Sequence, residues 1–250
     1  MIQNGKKLPN VQRIIGILSG KGGVGKSCVT ASLAHSLPGR IGILDADIYG
    51  PSIPRILNLK GEPQVDERNR MIPMRNYGIE CISMGFLTEK AVVWRGLMVM
   101  KALQDLIWRT RWSNLDYLLI DFPPGTGDAQ LTIMQQLKLD GCVVVSTPQK
   151  ISIIDAEKGV QMLEKVEIPL LGIVKNMSSY VCPSCNNVHR LFPDKDSSFW
   201  ARSNFVAELP FDPRICENMD QGLPLMENLD DSLFTAGIKN MSNHIVGALK

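Results

Sequence analysis

Seven short runs of apolar and β-branched residues recur along the chain, separated by polar or helix-like segments. Within each run the apolar positions are continuous rather than alternating, which is typical of strands buried on both faces of a parallel sheet. Such strands joined by crossover helices predict a doubly wound, mainly parallel α/β fold, with ligands at the carboxyl ends of the strands. The predicted strands are Ile14–Leu18, Ile41–Leu44, Ile79–Ser83, Tyr117–Ile120, Cys142–Ser146, Leu170–Val174 and Phe205–Leu209.

The segments between these runs add detail without suggesting a second domain. Residues 60–76 are polar, with scattered proline, and predict a surface excursion or a short hairpin. A helix is expected to end near Trp108–Trp112, and its wide apolar stripe favours a core helix over an exposed contact surface. Helical spacing from Leu233 to Leu249 predicts a last helix that packs on the domain. Because no repeat or linker is evident, residues 1–250 are interpreted as one domain.

Composition narrows the class of protein. The chain has 250 residues, of which 44% are hydrophobic and 21% charged, and a formal net charge of +2. No face can be identified as a nucleic-acid surface on that charge balance, so no nucleic-acid partner is expected. No apolar segment approaches the roughly 18–20 residues that cross a bilayer, so no stable membrane insertion is expected. Six cysteines do not make a disulfide scaffold, and a reducing compartment is the default.

The strongest chemical signal is a glycine-rich loop between the first predicted strand and a helix-like segment, Cys28 to Leu37. It matches the G-x-x-x-x-G-K-[ST] phosphate loop, whose backbone N–H groups and helix N-terminus attract an anion. Lys26 is expected to reach the β- and γ-phosphates of ATP, and the Ser27 hydroxyl to ligate Mg²⁺. The alternative, a glycine-rich turn without a ligand, fits the flanking elements less well. The residues expected to surround the nucleotide are Gly20, Lys21, Gly22, Gly23, Val24, Gly25, Lys26, Ser27 and Cys28.

A second lysine, Lys21, follows the first glycine of this loop. A side chain at that position does not fold back easily onto its own ligand. It reaches a phosphate more readily on a partner subunit that faces it across a two-fold axis. The alternative is a solvated surface lysine.

Polar residues at the ends of later strands complete the predicted nucleotide site. Asp47 follows the second strand, where a carboxylate can hold water beside the ligand, although it could instead cap a turn. Asp121 ends an apolar strand in the manner of a Walker B aspartate and is expected to hold Mg²⁺ through water. The Gly125 N–H is expected to sense the γ-phosphate. The Asn176 amide suits the adenine edge, and Pro210 closes the last strand beside the same pocket.

Cys182 and Cys185 form a lone Cys-x-x-Cys in a predicted loop at about residues 178–190. Tetrahedral or cubane sites need about four ligands, and His189 would bring the set only to three. Two protomers that each supply one pair would complete a four-cysteine site for zinc or a [4Fe–4S] cluster. A redox pair and two ordinary loop cysteines remain alternatives.

Together these motifs resemble the Mrp/ApbC/NUBPL family of iron–sulfur carrier P-loop ATPases, which have a deviant Walker A loop. The resemblance runs from about Val11 to about Pro224. The amino-acid sequence of Trp94–Met100 is most similar to that of the mitochondrial NUBPL branch. The motifs that carry it are the phosphate loop, Asp45–Ser52, Trp94–Gly96, Asp121–Asp128, Ser146–Gln149, Asn176–Ser178 and Cys182–Cys185.

The resemblance implies a slowly hydrolysing ATPase that forms an ATP-sandwich homodimer. In such a dimer Lys21 contacts the partner's nucleotide, and Asp47 positions the hydrolytic water. A [4Fe–4S] cluster bridges the two subunits through Cys182 and Cys185 and passes to apo iron–sulfur proteins. For the NUBPL branch this implies respiratory complex I assembly in the mitochondrial matrix, with the cytoplasm as the alternative. The rival hypotheses are a ParA-like or MinD-like positioning ATPase and a zinc-bridged structural dimer.

Overall fold

A computed structural model describes residues 5–48, 50–87, 96–193, 198–225, 229 and 232–250. Its strands are β1 (Val11–Ser19), β2 (Ile41–Asp45), β3 (Met74–Asn76), β4 (Ile79–Ser83), β5 (Leu115–Asp121), β6 (Gly141–Ser146), β7 (Leu170–Lys175), β8 (Ser179–Val181), β9 (Val188–Arg190) and β10 (Val206–Glu208). Its helices are α1 (Lys26–Ser36), α2 (Ile53–Ile56), α3 (Gly96–Trp108), α4 (Asp128–Gln136), α5 (Lys150–Lys165), α6 (Pro213–Gln221) and α7 (Leu233–Ala248). Met84–Leu87 and Trp200–Arg202 form 3₁₀ turns.

Eight of these strands form one sheet in the order β10-β7-β6-β1-β5-β2-β4-β3. All pairs are parallel except β3 with β4, so the predicted mainly parallel α/β fold is confirmed. The chain moves from β1 to β2 in one direction across the sheet and from β5 through β6 to β7 in the other. Since such crossovers are right-handed, α1 lies on one face of the sheet, and α4 and α5 lie on the opposite face. All seven predicted strands are present.

The edge strand β3 was not predicted as a separate strand. It lies at the end of the polar segment 60–76 and pairs with β4 across Tyr77 and Gly78, which both have positive φ. A further antiparallel bridge joins Val65 to Met71, as the predicted short hairpin requires. Propensity alone gave a weak signal here because the strand has only three residues, and none of them is fully buried.

The helices bury the apolar positions that their spacing indicates. In α7 the buried residues include Phe234, Ile238, Met241 and Ile245, and the predicted packing on the domain is confirmed. In α3 the core-facing residues Val99, Leu103, Leu106 and Ile107 are at most 3% exposed, which confirms the core-helix interpretation. Trp94 and Arg95, which were part of the family motif, lie outside the described residues. Among the described helices, none has the length and apolar character needed to span a bilayer.

The predicted cysteine loop has secondary structure of its own. Strands β8 and β9 pair antiparallel in a separate two-stranded sheet, and the segment between them carries Cys182 and Cys185. The hairpin joins the body of the domain through Phe211, whose N–H donates to the Ser179 carbonyl at 2.6 Å. Polar residues around the cysteines hid these three-residue strands from the hydrophobic pattern.

Candidate functional site

The glycine-rich loop leaves β1 after Ser19 and enters α1 at Lys26. Gly25 has φ +87°, and a Cβ there would lie 2.2 Å from Asn176 Nδ2, so only glycine fits this position. At the other end of the loop, a Cβ on Gly20 would lie 2.3 Å from the backbone of Asp155. A Cβ on Gly22 or Gly23 would meet nothing within 4 Å among the described atoms. The loop is therefore fixed at both ends and open in the middle.

The open part of the loop faces a cavity of about 430 Å³. Within the described residues, no side chain caps the first turn of α1, so its N–H groups are left to an anion. The cavity brings together the loop, the segment after β2, the segment after β5 and one face of α6. Its lining residues are Ser19, Lys21, Gly22, Gly23, Gly25, Lys26, Ser27, Cys28, Asp47, Gly50, Ser52, Pro124 and Met219.

Lys26 lies at the base of this cavity between two carboxylates. Its Nζ is 2.9 Å from Asp121 Oδ2 and 3.5 Å from Asp47 Oδ2, while its side chain is only 6% exposed. Despite these short distances, Nζ makes no hydrogen bond of normal geometry with the described residues, so the contacts are electrostatic. A buried ammonium with unused donors is the arrangement that accepts phosphate oxygens.

The carboxylate of Asp121 is fully buried and fixed by two hydroxyl groups of α1. Ser27 Oγ donates to Oδ2 at 2.6 Å, and Thr30 Oγ1 donates to Oδ1 at 2.7 Å. A hydroxyl and a carboxylate in contact, next to an anion site, fit the oxygen ligands that Mg²⁺ prefers. Sequence reasoning did not single out Thr30, although its position one turn after Ser27 places both hydroxyls on one face of α1.

Asp45 and Asp47 have different surroundings although they are two residues apart. Asp47 faces the cavity, and its Oδ1 accepts the Gly50 N–H at 3.2 Å. Asp45 is fully buried beneath the same loop, where it accepts the Ser83 hydroxyl and the N–H groups of Asp47 and Ile53. Burial, reinforced by the neighbouring Asp121 charge, raises the pKa of Asp45 to about 8.

Lys21 lies at the rim of the cavity, and its ammonium points towards α5. Its Nζ is 3.7 Å from Asp155 Oδ2, and the side chain is 33% exposed. Lys158 donates to the same carboxylate at 2.8 Å, and this hydrogen bond is the main cause that lowers the pKa of Asp155. In the single chain, Lys21 thus pairs with its own subunit.

Asn176 and Pro210 are not brought together in the phosphate cavity. Asn176 is 4% exposed, and its Nδ2 donates to the Val24 carbonyl at 2.8 Å, so the amide supports the loop backbone directly. Pro210 lines a separate cavity of about 630 Å³ between the β8–β9 hairpin and the N-terminal ends of α6 and α7. The contact of Asn176 and Pro210 with the adenine base of the nucleotide stays a prediction.

The cysteine hairpin presents its thiols to solvent, since Cys182 is half-buried and Cys185 is exposed. Backbone hydrogen bonds lower the pKa of the Cys182 thiol. The N–H of Ser184 has the larger effect, and the N–H of Cys185 adds to it. By contrast Cys28, Cys81 and Cys142 are buried, and Cys216 is exposed on α6. Within the described part of the chain, no three metal-ligating side chains come close enough to hold one ion. Among the described residues, His189 therefore does not join Cys182 and Cys185 in a three-ligand group within one chain.

Comparison with known proteins identifies the family to which this chain belongs. The family model described as "ParA: NUBPL iron-transfer P-loop NTPase" matches residues 10–246. The chain belongs to this family. A plant relative from Arabidopsis thaliana, "Iron-sulfur protein required for NADH dehydrogenase, mitochondrial", is 43% identical over 98% of this chain and 81% of its own length. The mouse "Iron-sulfur cluster transfer protein NUBPL" is 41% identical over 98% of this chain and 80% of its own length.

A solved structure agrees with the family assignment. A nucleotide-binding protein from Archaeoglobus fulgidus, in complex with ADP, superimposes with a TM-score of 0.77 at 39% identity. The match covers 88% of this chain and 90% of that one. The predicted resemblance to the NUBPL-type P-loop NTPases is thus confirmed.

Proposed function

We propose that the protein is an ATP-binding, slowly hydrolysing homodimer that carries a [4Fe–4S] cluster between its subunits and transfers it to apo-proteins. The observation that supports this most directly is the pairing of two features in one chain. One is an anion cavity with a buried, donor-rich Lys26. The other is a hairpin that exposes two thiols, while the thiols of the strands and of α1 are buried.

In the nucleotide site, Lys26 binds the β- and γ-phosphates, and Ser27 and Asp121 would hold Mg²⁺. When bound, the metal ion neutralises phosphate charge and fixes the orientation of the phosphates. Lys26 leaves its carboxylate contacts to meet the phosphate, which frees Asp47 to orient the attacking water. Among the described residues of a single chain, no cation besides Lys26 contacts these carboxylates, and we attribute slow hydrolysis to the missing further cation at the phosphates. In the dimer Lys21 of the second copy supplies that cation once it leaves Asp155.

The cluster is the cargo of the protein rather than a resident group. Cys182 and Cys185 of one chain offer two thiolates, and a four-ligand site needs a second pair from another copy. The backbone N–H groups that lower the pKa of Cys182 also favour its thiolate form as a ligand. Because the hairpin pairs outside the main sheet and Cys185 near its tip is exposed, this tip can meet an identical tip across a two-fold axis.

The recipient and the compartment follow from the relatives. The Arabidopsis relative is named as required for NADH dehydrogenase and as mitochondrial. We therefore propose respiratory complex I proteins as recipients and the mitochondrial matrix as the compartment, with the cytoplasm as the alternative. The whole of residues 1–250 acts as one P-loop ATPase domain whose cluster segment lies at about residues 178–190.

Anaerobic reconstitution with iron and sulfide tests the cluster assignment. The wild-type protein should gain cluster absorbance with about four irons per dimer, and Cys182→Ser or Cys185→Ser should lose it. The matched control is Cys216→Ser, which removes an exposed thiol outside the hairpin and should leave the absorbance unchanged. Undiminished absorbance in the hairpin variants would overturn the assignment, and zinc in anaerobically purified protein would favour the structural dimer instead. Co-sedimentation with DNA or lipid vesicles would favour the positioning ATPase.

A further inference from the structure

The two oxygens of the Asp121 carboxylate have different partners. Oδ2 is contacted by Lys26 Nζ at 2.9 Å and by Ser27 Oγ at 2.6 Å, and both of these side chains line the phosphate cavity. Oδ1 accepts a hydrogen bond from the Thr30 hydroxyl at 2.7 Å, and Thr30 is its only donor among the described residues. Thr30 is fully buried and does not line the cavity. One oxygen therefore faces the site, and the other is bonded to the interior of the protein.

The Thr30 hydroxyl has one proton and two acceptors within reach. Its Oγ1 is 3.0 Å from the Lys26 carbonyl, four residues earlier in α1, and 2.7 Å from Asp121 Oδ1. A hydroxyl donates a single proton, and a charged carboxylate accepts it more strongly than a neutral carbonyl does. The shorter contact is thus the hydrogen bond, and it ties α1 to the end of β5.

A second carboxyl group lies beside Asp121 on the opposite side. Asp45 and Asp121 are paired in register at the ends of the adjacent parallel strands β2 and β5, and both are fully buried. A negative charge on Asp121 is unfavourable next to that group, so it is stabilised from the side of α1. In the proposed nucleotide complex, Lys26 moves to the phosphates and the Ser27 oxygen turns to Mg²⁺. The Thr30 hydrogen bond is the contact that this rearrangement leaves unchanged.

We propose that Thr30 is a positioning residue that keeps the Oδ2 atom of Asp121 on the side where Mg²⁺ would bind together with the nucleotide. This inference rests on the proposed nucleotide function. A carboxylate can rotate about the bond to its own Cβ, and a hydrogen bond to one oxygen fixes the direction of the other. Loss of a group that orients a metal-binding side chain typically weakens metal binding by roughly 10- to 100-fold. Thr30 therefore sets how much Mg²⁺ strengthens nucleotide binding.

Calorimetric titration with ADP, in excess Mg²⁺ and in EDTA, measures the gain in affinity that Mg²⁺ provides. Thr30→Val removes the hydroxyl at nearly constant volume, and Thr30→Ala removes it without placing a methyl group against Oδ1. In both variants the gain should fall by about tenfold or more, while the affinity in EDTA stays within about threefold of wild type. Thr30→Ser keeps a hydroxyl and should restore most of the gain.

Thr235→Val is the matched control. Thr235 is also fully buried and hydrogen-bonded, but it lies on α7 and does not line the cavity. This variant should leave both affinities unchanged. A residue needed only for folding would change the affinities in Mg²⁺ and in EDTA together. Equal losses under the two conditions, or an unchanged gain from Mg²⁺ in a folded Thr30→Val or Thr30→Ala protein, would overturn the proposal.

NMR of the wild-type protein gives a result that needs no variant. With ¹³C-labelled threonine, the Thr30 hydroxyl proton should be visible in the free protein, because a buried and hydrogen-bonded hydroxyl exchanges slowly, and it should persist with Mg²⁺ and ADP. Absence of this signal in either state would overturn the proposal, even if no Thr30 variant folded. Wild-type protein that binds ADP with no gain from Mg²⁺ would overturn it too, and would leave nucleotide binding intact. Wild-type protein that binds ADP under neither condition would instead overturn the proposed nucleotide function.

Discussion

At the scale of single residues, the nucleotide site is a cluster of buried charges in which cations and carboxylates are not balanced. Lys26 contacts both Asp121 and Asp47, and Asp45 lies beneath them with no cation in direct contact among the described residues. Three carboxylates near one ammonium cannot all ionise without cost in a dry site. The raised pKa of Asp45 is the physical consequence, and it makes the free protein sensitive to pH.

Replacing Asp45 with Asn should flatten the pH dependence of stability in the nucleotide-free protein. The pKa of Asp45 is about 8 in the folded state against 3.8 as the ordinary value, so the folded state holds a proton that the unfolded chain releases. The stabilisation from this carboxyl is complete below about pH 4 and is lost as pH rises towards about 8, by up to about 1.4 kcal/mol per pH unit. Asp45→Asn should therefore be more stable than wild type near pH 8.

Urea unfolding at pH 5, 6.5 and 8 with a metal chelator measures this effect. Asp220→Asn is the control, since that carboxylate is exposed on α6. If the Asp45→Asn and wild-type curves stay parallel across the three pH values, the buried carboxyl does not hold the proton.

At the scale of elements, the β8–β9 hairpin separates reactive cysteines from structural ones. Its two strands have three residues each and pair outside the main sheet, so the Cys-x-x-Cys segment is displayed rather than packed. Cys81 and Cys142 lie in strands of the main sheet, and burial raises the pKa of both thiols. Cys28 is similar in α1, where burial raises the pKa of its thiol to about 12.

Alkylation rates should follow this division. At pH 7, with no cluster bound, iodoacetamide should modify Cys182 before Cys216, because the hairpin N–H groups lower the pKa of Cys182, whereas partial burial raises that of Cys216. Cys28, Cys81 and Cys142 should stay unmodified while the protein is folded. Peptide mass spectrometry over time measures the order, and a urea-unfolded sample, in which the differences should largely vanish, is the control. Faster modification of Cys216 would show that the hairpin does not stabilise a thiolate.

At the scale of the whole molecule, our proposal assigns part of each site to a second copy of the chain. The hairpin offers two thiols, and the described residues bring no third ligand near them. The nucleotide site has a second lysine that pairs with Asp155 on the rim of the cavity. Since a two-fold axis could complete both sites at once, dimerisation should depend on Lys21 and on a triphosphate.

Lys21→Ala should impair triphosphate-dependent dimerisation and leave ADP binding nearly unchanged. A charge-assisted contact of about 2 kcal/mol corresponds to roughly thirtyfold weaker association. Light scattering after gel filtration with AMPPNP and Mg²⁺ measures the oligomeric state. Lys158→Ala is the matched control, because Lys158 contacts the same Asp155 carboxylate from an exposed position. A Lys21→Ala protein that dimerises as wild type does would remove the cross-subunit role.

The sequence by itself determined the parallel part of the sheet and the position of the glycine-rich loop. Continuous apolar runs such as Cys142–Ser146 are typical of strands buried between two helical layers. Glycines at fixed spacing before Lys26 and Ser27 are typical of a phosphate-binding loop. These signals are local, because each depends on residues within one strand or one turn. The confirmed strands and the family assignment both came from them.

Only the tertiary structure decided which partners the polar groups have. It placed Asp45 beneath Asp47, turned the Asn176 amide onto Val24, separated Pro210 from the phosphate cavity and bonded Gly125 to Ser19. These contacts join residues that are mostly distant along the chain, or neighbours whose side chains point in different directions. A pattern of residue types shows which atoms can donate or accept a hydrogen bond. Which of them meet depends on how strands and helices pack, because a hydrogen bond needs its atoms within about 3 Å of each other.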